Sequence, residues 1–350
     1  MTLSTTHAAT YQVSVAPSGR TFEASTGETL LAAGIRQGIT LPYGCKDGAC
    51  GSCKCTLLRG TVSHGQHSEA ALSAVEEAAG QILTCCATAQ SDLELESRQV
   101  TAQNAFPVRK MPTRVSSLKK VSNDVMLIAL QLPANDNFQY HPGQYLDFLL
   151  RDGARRSYSM ANAATSGAQL ELHIRHLPGG KFTDHVFGAM QEKEILRIEG
   201  PFGSFYLRED SQSPIVFLAS GTGLAPIKAI LEKMDSAGIQ RQATLYWGGR
   251  RPADLYLDAW VRNYAETHTW FTYVPVISNA QADDNWTGRT GLVHQSVLQD
   301  HPDLSNHQVY ACGVPIMVAS ARRDFVLQGG LPEDAFFADA FVSQADQQMA

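Results

Sequence analysis

The chain reads as a multidomain protein of α+β and α/β class built from three successive modules. Three observations predict this. Cysteines and glycines cluster within the first 98 residues, short strands broken by Gly and Pro fill 108–209, and from 210 onward apolar runs alternate with glycine turns and helical stretches. At 350 residues the chain exceeds what one ordinary core encloses, so two or three domains are expected.

In the first module, spanning 9–98, Tyr11-Gln-Val-Ser-Val alternates as a strand, Ser18-Gly19 turns, and Thr21-Phe-Glu-Ala returns. Residues 29–36 carry a short apolar helical pattern, and Ser91-Asp-Leu-Glu-Leu-Glu closes the module as another alternating strand. The weakly periodic stretch 99–107 is expected to be a linker. Between these elements lie Cys45, Cys50 and Cys53, followed by Cys85 in Leu83-Thr84-Cys85. This is the C-x4-C-x2-C…C spacing of a plant-type [2Fe–2S] cluster. Zinc prefers short C-x2-C pairs, which this spacing fits poorly, and inert core thiols are the other alternative. Gly44, Gly48 and Gly51 give a loop the freedom to wrap a cluster and aim N–H groups at its sulfurs. Cys86 adjoins Cys85 and is an alternative fourth ligand. Cys55 and Cys86 otherwise read as small buried residues.

The second module, 108–209, holds Val125-Met-Leu-Ile-Ala-Leu, Gln144-Tyr-Leu-Asp-Phe-Leu-Leu and Leu170-Glu-Leu-His-Ile, strands spaced as in a small antiparallel barrel. Here Arg156-Ser-Tyr158-Ser159-Met-Ala-Asn162 precedes His173-Ile-Arg175 and Gly180-Lys181-Phe-Thr183. Arg156, Gly180 and Thr183 together offer a guanidinium, an amide and a hydroxyl to one phosphate. Tyr158 offers a ring to stack on, and Ser159 a small donor near a reacting edge.

In the third module, 210–350, Pro214-Ile-Val-Phe-Leu-Ala is fully apolar and leads through glycines into a helical stretch, 225–234. Ala243-Thr-Leu-Tyr-Trp and Gln308-Val-Tyr-Ala-Cys repeat that order, which predicts a parallel sheet with helices on both faces. In Ser220-Gly221-Thr222-Gly223-Leu-Ala-Pro226, Gly221 and Gly223 let backbone approach a pyrophosphate at a helix N-terminus. The third spaced glycine of the dinucleotide fingerprint is missing, so a plain tight turn fits these residues equally.

Together these motifs resemble the ferredoxin–NADP⁺ reductase superfamily over 108–350, preceded by a β-grasp ferredoxin-type domain. The family pattern R-x-Y-S-x-x-N matches Arg156, Tyr158, Ser159 and Asn162. G-x-x-S/T matches Gly180 and Thr183, and G-T-G-x-A-P matches Gly221, Thr222, Gly223 and Pro226. The resemblance implies FAD on the barrel and a nicotinamide dinucleotide on the parallel sheet, with Cys312-Gly313 beside the nicotinamide. In Phe337-Ala-Asp339-Ala-Phe341 it implies that Phe341 covers the flavin until nicotinamide displaces it. The Leu-Thr-Cys run implies Cys85 as the fourth iron ligand.

A nicotinamide gives two electrons as a hydride and a cluster accepts one, so a flavin belongs between them. The implied activity is an NADH-dependent reductase whose partner is an electron-accepting dehydrase of a CDP-sugar or an oxygenase component. A ferredoxin-like carrier fused to a regulatory nucleotide-binding module is the alternative of another class. Arg250 and Arg251 follow Tyr246-Trp-Gly-Gly, where a 2′-phosphate would be met, which leaves NADPH open. The resembled reductases use NADH with an arginine in this loop, and NADH is the expectation.

Composition narrows the remaining classes. With 44% hydrophobic residues, 18% charged and a net charge of −6, the chain lacks the basic clusters that nucleic acid demands. No apolar run reaches membrane-span length, and the N-terminus lacks a basic then apolar export pattern. Seven cysteines, four assigned to iron, point to a reducing compartment, so the cytoplasm is expected. His141, His173, His176 and His185 read as polar strand or loop residues, and Asp124, Asp147 and Glu199 as unpaired carboxylates.

Overall fold

The computed structural model describes residues 9–100, 106–134, 137–163 and 169–342. The chain divides into two units, one made of the residues up to Phe106 together with Val342, and one spanning Pro107–Phe341. Residues 101–105 of the expected linker and 343–350 of the third module lie outside the described residues.

The first unit is a five-stranded mixed sheet, ordered Arg20–Ser25, Thr10–Ala16, Leu93–Glu96, Lys54–Arg59, Gln81–Leu83. Thr10–Ala16 runs parallel to Leu93–Glu96 and every other neighbour pair is antiparallel. Alternation sets the face: Val13, Val15, Phe22, Ala24 and Leu95 are buried while their neighbours are not. The helix Leu30–Arg36 buries Leu30, Leu31 and Ala33, and starts at Thr29, whose hydroxyl accepts the Ala32 N–H. One crossing helix on a mixed sheet is the expected β-grasp arrangement.

The second unit carries two sheets. Six antiparallel strands run in the order Arg155–Ser159, Tyr145–Leu149, Ile195–Phe202, Arg109–Lys120, Val125–Gln131, Gln169–Arg175. A bridge between Met160 and Leu172 joins the two free edges, closing the sheet into a barrel. Val115, Ile128, Leu130, Phe148, Ile174 and Ile198 fill it. The helix Lys181–Gly188 plugs it with Phe182 and Val186.

The other sheet is parallel throughout, ordered Arg289–Thr290, Phe271–Ile277, Ala243–Gly249, Ile215–Ser220, Gln308–Gly313, Phe336–Ala340. Its strands are apolar without alternation because helices cover both faces; Ile215, Val216, Phe217, Leu218 and Ala219 are all buried. The chain builds outward from Ile215–Ser220 in one direction, then returns to place Gln308–Gly313 on its other side. That reversal opens a crevice at the carboxyl ends of these two strands, where ligands bind in such sheets. Among the described residues no helix is long and apolar enough to cross a membrane.

Candidate cofactor and electron-transfer sites

Strand pairing brings the cysteines together. Lys54 lies opposite Leu83, so the preceding Cys53 meets the following Thr84-Cys85, and the Cys53 and Cys85 sulfurs are 3.2 Å apart. The N–H groups of Cys45 and Ser52 donate to Cys50 Sγ at 3.3 and 3.5 Å. Hydrogen bonds from Cys50 and Cys85 hold the Cys45 thiol well below its usual range, and the same partnership with Cys45, followed by burial, pushes Cys50 up.

Cys86 borders the same loop. Its sulfur is 3.6 Å from that of Cys85, but it packs on the loop at Gly48, where a Cβ would sit 2.6 Å from it. Gly48 and Gly51 have φ of +78° and +72°, and added side-chain carbon would crowd His67 and the Ala71 carbonyl, at 2.9 and 3.2 Å. Burial pushes the Cys55 thiol well up, in keeping with a small inert core residue. Among the described residues no set of three or more His, Cys, Asp or Glu side chains is arranged to hold one metal ion. The donor chemistry here, four thiols with backbone N–H groups aimed at sulfur, fits an iron–sulfur cluster.

On the barrel, Tyr158 lies edge-on to Phe148 at 5.8 Å and against Phe182 at 5.5 Å, so the strand Arg155–Ser159 and the segment 180–183 meet. Arg156 Nη1 donates to the Arg155 carbonyl at 2.6 Å, and the exposed Lys181 Nζ donates to Asp152 Oδ2 at 2.6 Å. The helix Lys181–Gly188 begins at Gly180 with no side-chain cap, which leaves first-turn N–H groups for an anion.

Two of the expected cofactor residues also brace the chain around them. The Thr183 hydroxyl donates to the Leu177 carbonyl at 2.9 Å and accepts the Leu177 N–H at 3.2 Å, so it braces its own turn. Asn162 accepts the Glu171 N–H at 2.9 Å and donates to the Gln169 carbonyl at 3.0 Å, pinning the start of the next strand. Short polar side chains in turns find nearby backbone groups first. Asp147 and Glu199 are not the separate carboxylates expected: they face each other across the sheet and both bind Arg155.

At the crevice, Gly221–Gly223 forms a 3₁₀ turn that runs directly into the helix Leu224–Ser236. Thr222 and Pro226 are buried there. A Cβ on Gly223 would overlap the Cys312 carbonyl oxygen and lie 2.6 Å from its carbon, while one on Gly313 would overlap Ser220 Oγ. These two glycines therefore let the end of the Gln308–Gly313 strand touch Ser220 and the turn that follows it. Trp247 Nε1 donates to the Gly221 carbonyl at 3.0 Å. Arg175 Nη1 lies 2.7 Å from where a Gly221 Cβ would be, and its Nε binds Asp124 at 2.8 Å. Phe341 donates its N–H to the Gly313 carbonyl at 2.8 Å and packs its ring on the adjoining core.

Ser159 and Cys312 converge on Asp339, to which the motifs assign no role. Ser159 Oγ donates to Asp339 Oδ2 at 3.3 Å, and Cys312 Sγ is 4.0 Å from the same oxygen. Strand register places Cys312 beside Asp339. Burial, then the Asp339 charge, pushes the Cys312 thiol well above its ordinary value, so it stays protonated. The available signal was a carboxylate amid the aromatics of the last strand.

Comparison with known proteins settles what kind of machine this is. Family models match in three successive blocks: a 2Fe-2S iron-sulfur cluster binding domain over 13–90, an oxidoreductase FAD-binding domain over 112–206, and an oxidoreductase NAD-binding domain over 217–323. The CDP-6-deoxy-L-threo-D-glycero-4-hexulose-3-dehydrase reductase of Yersinia pseudotuberculosis is 42% identical over 330 residues, covering 94% of this chain and 98% of that one. The chain belongs to the ferredoxin–NADP⁺ reductase superfamily, in its iron–sulfur-fused form.

This superfamily member is also 34% identical to reductase component 2 of the terephthalate 1,2-dioxygenase of a Comamonas species, over 95% of this chain and 98% of that one. The solved structure of a ferredoxin reductase in carbazole 1,9a-dioxygenase superposes with a TM-score of 0.68 at 26% identity, covering 96% of this chain and 99% of that one. The chain is an oxidoreductase with FAD, NAD and 2Fe–2S domains, and the superfamily expectation from its motifs is borne out for fold and cofactors.

Proposed function

We propose that this reductase draws on NADH and delivers electrons to a dehydrase acting on a CDP-linked 6-deoxyhexulose. The observation that carries the partner is the 42% identity along nearly the whole of both chains to a reductase named for that dehydrase. When bound, FAD would supply the means of turning a two-electron hydride into single electrons, and a cluster would supply a one-electron outlet. The chain's own residues hold and align these groups. Cys45, Cys50, Cys53 and Cys85 ligate the iron. Arg156 and the uncapped helix start at Gly180 and Lys181 take the FAD phosphates, and Tyr158 stacks on the cofactor.

Ser159 keeps its hydroxyl beside Asp339 at the flavin's reacting edge, and the protonated Cys312 thiol shapes the nicotinamide pocket next to Gly313. Phe341 shields that edge. Gly221, Thr222 and Gly223, with Pro226 setting the first helical turn and Arg175 alongside, receive the dinucleotide pyrophosphate. We assign the modules to 9–98, 108–209 and 210–350, with 99–107 as the linker. Seven cysteines, four of them assigned to iron and all of them free thiols, favour the cytoplasm.

The partner is tested by mixing the reduced enzyme with the purified dehydrase and its CDP-sugar substrate. NADH-dependent formation of the 3-deoxy product supports the reading; its failure, with coupling to a terephthalate-type oxygenase instead, overturns it.

Coenzyme choice follows from charge. Arg251 is held by Asp283 at 2.9 Å and Asp284 at 2.7 Å, and the exposed Arg250 sits 3.9 Å from Asp254. Three carboxylates thus surround two guanidiniums, a poor setting for a 2′-phosphate. The kcat/KM ratio should favour NADH, and Arg250→Ala should shift that ratio by less than about threefold, as for a screened surface charge. A strong NADPH preference lost in Arg250→Ala would reverse this reading.

A further inference from the structure

A buried polar seam joins the barrel to the parallel sheet within the second unit. Lys228, on the helix that opens at Gly223, is buried. Its ammonium donates to the Ala161 carbonyl at 3.1 Å and meets Glu232 at 2.5 Å and Glu171 at 3.1 Å. Glu232 reaches back to accept the Ala163 N–H at 2.9 Å. Ala161 lies two residues beyond Ser159, so this one side chain ties the flavin strand's extension to the dinucleotide helix.

A second branch runs beside it. His173 Nε2 contacts Glu171 at 2.8 Å and its Nδ1 contacts the Tyr256 hydroxyl at 2.8 Å. Burial lowers the His173 pKa, so the ring is neutral: Nε2–H donates to the carboxylate and the tyrosine hydroxyl donates to Nδ1. Tyr256 packs edge-on to Trp247 at 5.3 Å, and Trp247 holds the Gly221 carbonyl. Burial alone would raise the Glu171 carboxyl, but His173 and Lys228 outweigh it and hold it down to about 2. Both branches end at the turn Gly221–Gly223 or the helix it opens.

A buried ion pair contributes little net stability against a well-packed apolar replacement, because desolvation consumes the Coulombic gain. What it supplies is a single permitted register between two surfaces. We propose that Lys228, with Glu171 and Glu232 and the parallel branch through His173 and Tyr256, is a positioning device. It fixes how far the Ser159 edge of the barrel stands from the dinucleotide turn, and so the approach of nicotinamide to flavin. The proposal rests on the reading that hydride transfer occurs at that edge.

The test uses the full-length holoenzyme under anaerobic conditions, with flavin content, the rate of flavin bleaching by NADH per bound flavin, and nicotinamide–flavin charge-transfer absorbance as readouts. Lys228→Met should slow bleaching about tenfold and weaken the charge-transfer band, since small misplacements of reacting groups carry penalties of this order or more. FAD content and NADH affinity should change little, and Lys228→Arg should recover much of the rate. Tyr256→Phe, which cuts the other branch without stranding a charge, should slow bleaching about threefold. An unchanged rate per bound flavin in both Lys228→Met and Tyr256→Phe overturns the proposal. If Lys228→Met fails to retain FAD, Tyr256→Phe decides alone, and an unchanged rate there overturns it. Failure of NADH to bleach the wild-type flavin would instead sink the proposed function.

Discussion

Cys85→Ser should empty the chain of its iron, whereas Cys86→Ser should leave the visible cluster absorbance intact. The two thiols are adjacent in sequence and 3.6 Å apart in space, yet only Cys85 sits with Cys53, at 3.2 Å, and bonds to Cys45. Cys86 fills the space over Gly48. Even outer-shell changes cost roughly 10–100-fold in metal affinity, and loss of a direct ligand costs at least as much. Iron per chain should therefore fall to near zero in Cys85→Ser, and electron delivery to an external one-electron acceptor should fall about a hundredfold with it. Flavin bleaching by NADH should persist at the wild-type rate, because Ser159, Cys312 and the dinucleotide turn belong to the other unit. Iron analysis and anaerobic spectra read both results. A cluster retained in Cys85→Ser and lost in Cys86→Ser would reassign the fourth ligand.

What the sequence made legible was whatever local pattern encodes. The run Pro214-Ile-Val-Phe-Leu-Ala, apolar on both faces, marks a covered parallel strand at Ile215–Ser220, and the cysteine spacing marks a loop that only iron explains well. Three-residue strands such as Val62–His64 and Ala87–Ala89 carry too few residues to show any period. The site was legible in part. Tyr158 does meet the segment 180–183, and Ser159 does meet Cys312 through a shared carboxylate.

The rest depended on distance along the chain. Ser159 and Asp339 are 180 residues apart, and nothing within either segment announces the other. Lys228 looks like one more charge on an amphipathic helix until the barrel is laid against it. Thr183 and Asn162 carry a local role that their motifs did not announce. A hydroxyl or amide is equally suited to a phosphate and to nearby backbone, and the fold shows the backbone partner of each.

Gly223→Ala should be among the most damaging single-atom additions in the chain. Gly223 has φ of −58° and ψ of −12°, which alanine adopts freely, so conformational preference is not at issue. The obstacle is space: the new methyl would overlap the Cys312 carbonyl, which is backbone of a buried central strand and cannot swing aside. Overpacking of this kind costs typically 1–3 kcal/mol, and a backbone obstacle puts Gly223→Ala near roughly 3 kcal/mol. For a unit of this size that corresponds to a fall of roughly 6–12 °C in Tm. Gly188→Ala is the control, since a Cβ there meets nothing within 4 Å and the position is an exposed helix end. It should be neutral or stabilising by up to about 1 kcal/mol. Thermal melts of the FAD-loaded proteins separate two roles for Gly223. If the glycine served only to let backbone approach a pyrophosphate, Gly223→Ala would raise KM for NADH and melt with the wild type. If it lets the turn pack against the end of the Gln308–Gly313 strand, as the structure shows, the melt moves first and turnover follows it down.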